Sequence, residues 1–379
     1  MVAFYAFTGA TPLYTRIVIK LGTSSLTAGT PRLSPPQLVE LARQVARLHD
    51  QKHEIVIVTS GAMAAGRERL GFPKLPKDLP AKQMLAAIGQ PLLMALYEQV
   101  FGLYNLPIAQ VLLTRADLAD RRRYLNSRNT FSALLQQGVI PIVNENDTVA
   151  TEEIRVGDND NLSALVANLL DADLLVLLTD QAGLYTADPR RNASAQLVGE
   201  ITGPEIPEAL WKAAGGTNNG LGTGGMVTKL QAADLARRSG TTVVIAASRE
   251  PDVLLRLLAG EAIGTRFCPL EAVTESRKRY ILSGGRAPGL LRVDDGAARA
   301  LKRGGSLLPV GIKAAEGDFE PGDTVRIFNP AGREVARGIS NYAAADLQRI
   351  LGRKSEEIES ILGYYAGDEV IHRNDLVLL

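Results

Sequence analysis

An α/β fold with a second, smaller β-rich domain follows from three features of the 379-residue chain. Short β-branched or leucine-rich runs alternate with longer helical patterns, the texture of βαβ units around a mainly parallel sheet. Beyond Ser276 that alternation gives way to brief apolar runs separated by Gly, Pro and Asp turns. The length also suits two domains better than one.

Taken in order, strands are expected at Arg16–Leu21 ("RIVIKL"), Glu54–Thr59, Ile108–Leu113, Val139–Val143, Leu174–Thr179 and Thr241–Ala246. Helices are expected between them at Ser34–Gln51, Ala81–Phe101, Tyr124–Gln137, Asn161–Leu170 and Met226–Ser239. Ser34 reads as an N-cap with Pro35 in the first turn. In the tail, "GLLRV", "SLLPVGI", "DTVRIF", "EVARGIS" and "DEVIHRNDLVLL" read as a small β-rich module with one or two helices.

Composition narrows the function classes. Lys+Arg 42 against Asp+Glu 41 favours neither nucleic acid nor a membrane surface as partner. One cysteine, Cys268, excludes an intrachain disulfide framework and suits a reducing cytoplasm. His49, His53 and His372 are too few and too scattered for a histidine-rich metal site. No run approaches the roughly 18 consecutive apolar residues of a membrane span. The opening "MVAFYAFTGATPLYT" has no basic residue before Arg16, and Thr8, Gly9 and Pro12 interrupt it, so it reads as an extension or an upstream start rather than a secretory signal.

Four polar clusters fall at the C-terminal ends of expected strands, where open α/β sheets gather ligands. In "KLGTSS", Lys20 closes an apolar strand, an expensive place for an ammonium group unless it meets an anion, though edge-strand solvation would also serve. In "TSGAMAAG", Ser60 and Gly61 lead into a helix whose free N–H groups suit an anion; a plain serine cap is the simpler account. "NENDTVATEE" and "VGDNDNLSALVAN" follow, and the second fails as an EF-hand because it lacks the glycine and the distal glutamate. A helix cap there needs only Asp160 or Asn161. "GLGTGGMVTKLQAAD" is the most specific local signal: Gly222, Gly224 and Gly225 admit close anion approach, and Lys229 lies just inside a helix. It is neither a P-loop nor a dinucleotide fingerprint, since no strand precedes it and Ala246 and Ala247 occupy the acidic region.

Two lysines, two glycine turns and a set of acidic and amide side chains point to phosphoryl transfer without a P-loop. The assembled pattern resembles the amino acid kinase family, and within it the glutamate 5-kinase (γ-glutamyl kinase) branch. The likeness rests on "VIKLGTSSLT", "IVIVTSGAMAAGRERLG", "LLTRADL", "VNENDTVATEEIRVGDNDNLSALVA", "LLTDQAGLYTADPR" and "GLGTGGMVTKLQAAD". The tail resembles a PUA domain. The resemblance implies a three-layer αβα sandwich, with residues 1–15 an extension, 16–270 the kinase domain, 271–285 a linker and 286–379 the PUA-like domain.

It further implies ATP and L-glutamate as substrates, Mg²⁺ carried on ATP with no protein metal ligand, feedback inhibition by proline, and assembly into dimers or tetramers. Lys20, Asp160 and Lys229 become the catalytic group. Ser60, Asn144, Asp147 and Asn159 become the glutamate site, with Asp147 suited to the α-ammonium group and Asn161 left to cap the helix. Lys20, Gly22, Thr179, Asp180, Thr223, Gly224, Gly225, Met226 and Lys229 become the ATP site. "RADLADRRRYLNSR" reads as a solvated loop or helix start; the family account is a mobile loop or subunit contact near the active site. A kinase for another carboxylate, a carbamate or a nucleotide is the rival within the class. RNA binding by the tail is the rival outside it, but the tail shows no clear basic stripe or stacking aromatics.

Overall fold

The first unit runs β1 (Arg16–Leu21), α1 (Thr23–Thr27), α2 (Pro35–Asp50), β2 (Glu54–Val58), α3 (Ala62–Arg69), α4 (Leu79–Gly102) and β3 (Ile108–Leu113). After α5 (Arg115–Ala119) and α6 (Arg121–Gln136), most of whose residues belong to the second unit, it continues through β4 (Ile140–Glu145), α7 (Asp158–Leu170) and β5 (Leu174–Thr179). It closes with β6 (Glu200–Ile201), α8 (Glu208–Ala213), α9 (Met226–Arg238), β7 (Thr242–Ala247), α10 (Val253–Leu258) and β8 (Thr265–Phe267). This computed structural model describes residues 14–76, 78–150, 158–189, 192–215, 225–270 and 288–379.

The eight strands form one sheet in the order β3-β4-β2-β1-β5-β7-β8-β6. β1 pairs in parallel with β2 on one side and β5 on the other, so the strand order turns about it. The sheet is parallel from β3 to β7; β8 runs antiparallel to β7, a reversal the alternation of βαβ units did not signal. Leu174–Thr179 is buried along its whole length, as a strand covered on both faces should be.

Side-chain alternation builds the layers. Ile17, Ile19 and Leu21 join Leu38 and Leu41 of α2, Leu93 and Tyr97 of α4 and Leu254 of α10 in one core. The intervening residues Val18 and Lys20 therefore face the opposite side, where α7 and α9 pack on one another and on the sheet. This is the expected three-layer arrangement. α4 is the one described helix long and apolar enough to cross a membrane; its Leu85, Leu93, Tyr97, Val100 and Phe101 are buried inside the protein.

Element ends differ from expectation for local reasons. Ser34 does occupy the N-cap of α2 with Pro35 following, but its side chain makes no cap hydrogen bond. Asp78 caps α4, its Oδ1 accepting from the Ala81 N–H at 3.0 Å. β4 runs two residues beyond Val143, because Asn144 and Glu145 pair with Leu112 and Leu113 of β3.

The second unit comprises 272–379 together with 116–130. Its sheet joins β9 (Gly289–Val293), β10 (Ile312–Gly317), β11 (Thr324–Phe328), β12 (Glu334–Ile339) and β13 (Leu376–Leu378) in the order β10-β9-β11-β12-β13. α11 (Asp295–Lys302), α12 (Ala344–Ile350) and α13 (Ile358–Leu362) complete it. Leu291, Ile327, Ala336, Leu347, Ile350 and Ile371 are fully buried in its core. The RADLADRRR stretch is helical, forming α5 and the start of α6, and Leu125 packs with Ile339 and Val377. Residues 271–285, expected as a linker, lie outside the described residues.

Candidate active site

β1 carries Lys20 onto the face occupied by α7 and α9, and there it meets the first turn of α7. Lys20 Nζ lies 2.5 Å from Asp160 Oδ1, and Lys229 Nζ, from the first turns of α9, lies 3.2 Å from Asp160 Oδ2. The Thr228 hydroxyl donates to the same Oδ2 at 2.6 Å. Side-chain exposure is 4% for Lys20, 1% for Asp160 and 11% for Lys229. One carboxylate thus holds two ammonium groups almost out of water, so the cluster keeps positive charge in excess.

Burial pushes the Lys20 pKa down; attraction to Asp160 opposes this, and repulsion from Lys229 adds to the lowering. Burial of Asp160 works toward protonation, but Lys20, Lys229 and the Thr228 hydroxyl outweigh it and hold the carboxyl below its ordinary range.

These groups form part of the wall of a cavity of about 760 Å³. It also takes in Gly22, Ser60, Asn144, Asp147, Asn159, Thr179, Asp180, Gly225 and Met226. Every expected site residue that the structure describes therefore lies on one cavity; Thr223 and Gly224 lie outside the described residues. The cavity sits at the carboxyl ends of β1, β2, β4 and β5, next to the point where strand order turns.

Each strand end delivers its side chains in a distinct way. A Cβ on Gly22 would lie 3.6 Å from Lys20 Nζ, so the turn after β1 passes close to the ammonium group. Gly61, at φ 98°, swings the chain from Ser60 into α3, and Gly225, at φ 90°, opens α9. Both conformations favour glycine. Asn159 Nδ2 contacts the Thr59 carbonyl at 2.9 Å, Ser60 Oγ at 3.0 Å and Asn144 Oδ1 at 3.1 Å. Thr179 Oγ1 donates to Asp180 Oδ1 at 3.0 Å.

α7 begins at Asp158, so Asn161, expected to cap it, sits inside the helix instead. The reason is tertiary. Asn159 is tied to β2 and β4, and Asp160 to the two lysines, which holds the polar run in helical geometry. Thr228 is a residue the sequence reading missed; its place beside Lys229 was visible, but its approach to Asp160 depends on how α7 and α9 meet. Lys82, Tyr185, Asp188 and Ala214 also line the cavity. Of these, Tyr185 and Asp188 stand inside a quoted motif, without any feature that marks them individually.

Among the described residues no cluster of three or more His, Cys, Asp or Glu is placed to hold a metal ion. Asp160 has both oxygens engaged by cations or a hydroxyl. Asp147, Asp180 and Asp188 also line the cavity, and carboxylates are donors of the type that holds a hard divalent ion directly or through its waters.

Comparison with known proteins places this geometry in a family. Residues 15–247 match the model of the amino acid kinase family, and residues 289–362 match that of the PUA domain. A Shewanella amazonensis protein named glutamate 5-kinase is 55% identical over 367 residues, covering 97% of this chain and 96% of its own. Proteins of the same name from Herpetosiphon aurantiacus and Photobacterium profundum are each 56% identical, covering 96% of this chain and 98% and 96% of their own. With two ammonium groups held on one buried carboxylate at the strand ends, and with relatives matched over nearly their whole length, the chain belongs to the amino acid kinase family, in its glutamate 5-kinase branch.

Proposed function

We propose that the protein transfers the γ-phosphoryl group of ATP to the γ-carboxylate of L-glutamate, giving γ-glutamyl phosphate and ADP, the first step of proline biosynthesis. The observation that carries this reading is the pair of buried lysines sharing Asp160. A carboxylate nucleophile is ionised at neutral pH, with a reference pKa of about 4.3, so the site needs no general base. The barrier it must lower is the approach of two anions. Unit charges about 4 Å apart at an effective dielectric of about 20 repel by roughly 4 kcal/mol.

Lys20 and Lys229 offset that repulsion and stabilise charge on the transferring group, with Asp160 holding both ammonium groups in place. A γ-carboxylate oxygen forms the new bond to phosphorus while the bond from γ-phosphorus to the β–γ bridging oxygen breaks, and ADP leaves with that electron pair. Amides near Gly22 and around Gly225 and Met226 cradle phosphates, and Thr179 and Asp180 contact the nucleotide. Mg²⁺ bound to the ATP phosphates would neutralise part of their charge. Ser60, Asn144, Asp147 and Asn159 hold glutamate, with Asp147 placed to receive the α-ammonium group.

The reading carries a cytoplasmic location, for which the single cysteine is the support. It also carries a kinase domain over 16–270 and a PUA-like domain over 286–379, self-association into dimers or tetramers, and inhibition by proline. The test is purified protein with ATP, Mg²⁺ and L-glutamate, with hydroxylamine trapping the acyl phosphate. Glutamate-dependent hydroxamate is expected; its absence at saturating substrate overturns the proposal.

A further inference from the structure

Asn144 and Asn159 are the inner members of a string of side-chain amides that starts outside the cavity. Gln90, on α4, donates from Nε2 to Gln110 Oε1 of the edge strand β3 at 3.1 Å. Its Oε1 accepts from Asn144 Nδ2 at 2.8 Å. Asn144 Oδ1 in turn accepts from Asn159 Nδ2 at 3.1 Å and from the Glu145 backbone N–H at 3.0 Å.

The polarity of this string is set by the backbone. The Thr59 carbonyl can only accept, so the amide nitrogen of Asn159 must face it. The Glu145 N–H can only donate, so the oxygen of Asn144 must face it. Asn144 is 2% exposed, and its NH₂ group therefore needs an acceptor inside the protein, which Gln90 supplies. With the NH₂ of Asn159 committed to β2 and β4, its Oδ1 is buried without a hydrogen-bond partner among the described residues.

We infer that Gln90 is a positioning residue for the amino-acid substrate. Gln90 is not itself on the cavity wall; by accepting from Asn144 Nδ2 it fixes the orientation of Asn144 and, through it, of Asn159, both of which line the cavity. The inference rests on the glutamate-phosphorylating reading, in which Asn144 and Asn159 hold glutamate. The consequence is affinity: without the Gln90 acceptor the buried Asn144 NH₂ is left unpaired, and the orientation of both asparagines on the cavity wall is lost.

The experiment compares full-length wild type with Gln90→Met, Gln90→Ala and Gln90→Glu, varying L-glutamate at saturating ATP. Met and Ala lack the acceptor oxygen, whereas the Glu carboxylate still accepts from Asn144 Nδ2. In Gln90→Met, KM for L-glutamate should rise about fivefold or more, with kcat and KM for ATP within about twofold. Gln90→Ala repeats the test with a smaller side chain should the Met variant fold poorly. Gln90→Glu should keep KM for L-glutamate within about twofold of wild type. A wild-type KM for L-glutamate in both acceptor-free variants overturns the inference, as does equal impairment of all three variants through kcat. Wild type inactive on L-glutamate would instead defeat the underlying functional reading.

Discussion

Lys20 and Lys229 reach the same carboxylate from different elements, yet they should not behave alike in solution. Lys229 is the more exposed of the two and contacts Asp160 alongside Thr228. Lys229→Ala removes one cation from the transferring phosphoryl group and should lower kcat by about 100-fold or more, with KM for glutamate little changed. A strong rise in that KM at intact kcat contradicts the role. Lys20 carries the pH signature. Its pKa lies below the ordinary lysine value because burial, aided by Lys229, outweighs the attraction of Asp160. On the proposed role the ammonium form is the active one, so activity is expected below the depressed pKa and is lost as pH rises through it. The kcat/KM profile for ATP, which reports groups of the free enzyme, should therefore show an alkaline limb below the usual lysine range. A flat profile up to that range contradicts the assignment.

At the scale of elements, the cavity wall depends on how closely α3 and α4 approach. A Cβ on Gly89 would lie 1.7 Å from the Ala62 carbonyl oxygen, and one on Gly66 would lie 2.0 Å from that of Leu85. Both neighbours are backbone, so neither can move without shifting a helix. Alanine is intrinsically better in a helix than glycine by about 1 kcal/mol. Forced displacement of packed elements costs about 1–3 kcal/mol or more, so the clash wins. Gly89→Ala is expected to lower the thermal midpoint and, because Gly61 through Ala64 line the cavity, to reduce activity as well. An unchanged or higher midpoint would show that the helices can separate freely.

At the scale of the whole chain, the second compact unit takes in 116–130 from the middle of the sequence. Within it, Arg128 of α6 donates from one guanidinium nitrogen to Asp375 Oδ1 at 2.8 Å and from the other to Oδ2. The Asp375 side chain is 3% exposed. Asp375→Ala takes the carboxylate from a part-buried cation, a change expected to cost about 1–3 kcal/mol. Thermal unfolding should show that unit destabilised, and a midpoint equal to wild type would mean the pair contributes little.

How much of this was legible in the sequence depends on the range of the interaction. The alternation in "RIVIKL" sets which residues share a face of β1, and with it the side on which Lys20 emerges. Loop composition marked "GDNDN", "NENDT" and "TGGM" as places too polar or too glycine-rich for ordinary packing. The reversal at β8 left no comparable trace, because strand direction in a sheet is not encoded in the period of one strand. Nor did α7 reveal its true first residue, since partners on β1, β2, β4 and α9 hold that turn.

What the sequence determined by itself was the period of each element and the chemical type of each polar cluster, both set by neighbours a few residues away. Only the tertiary structure decided that Lys229 meets a carboxylate 69 residues earlier, that Gln90 reaches Asn144, and that 116–130 joins the C-terminal unit. Those outcomes follow from strand order and helix approach, which balance contributions from the entire chain.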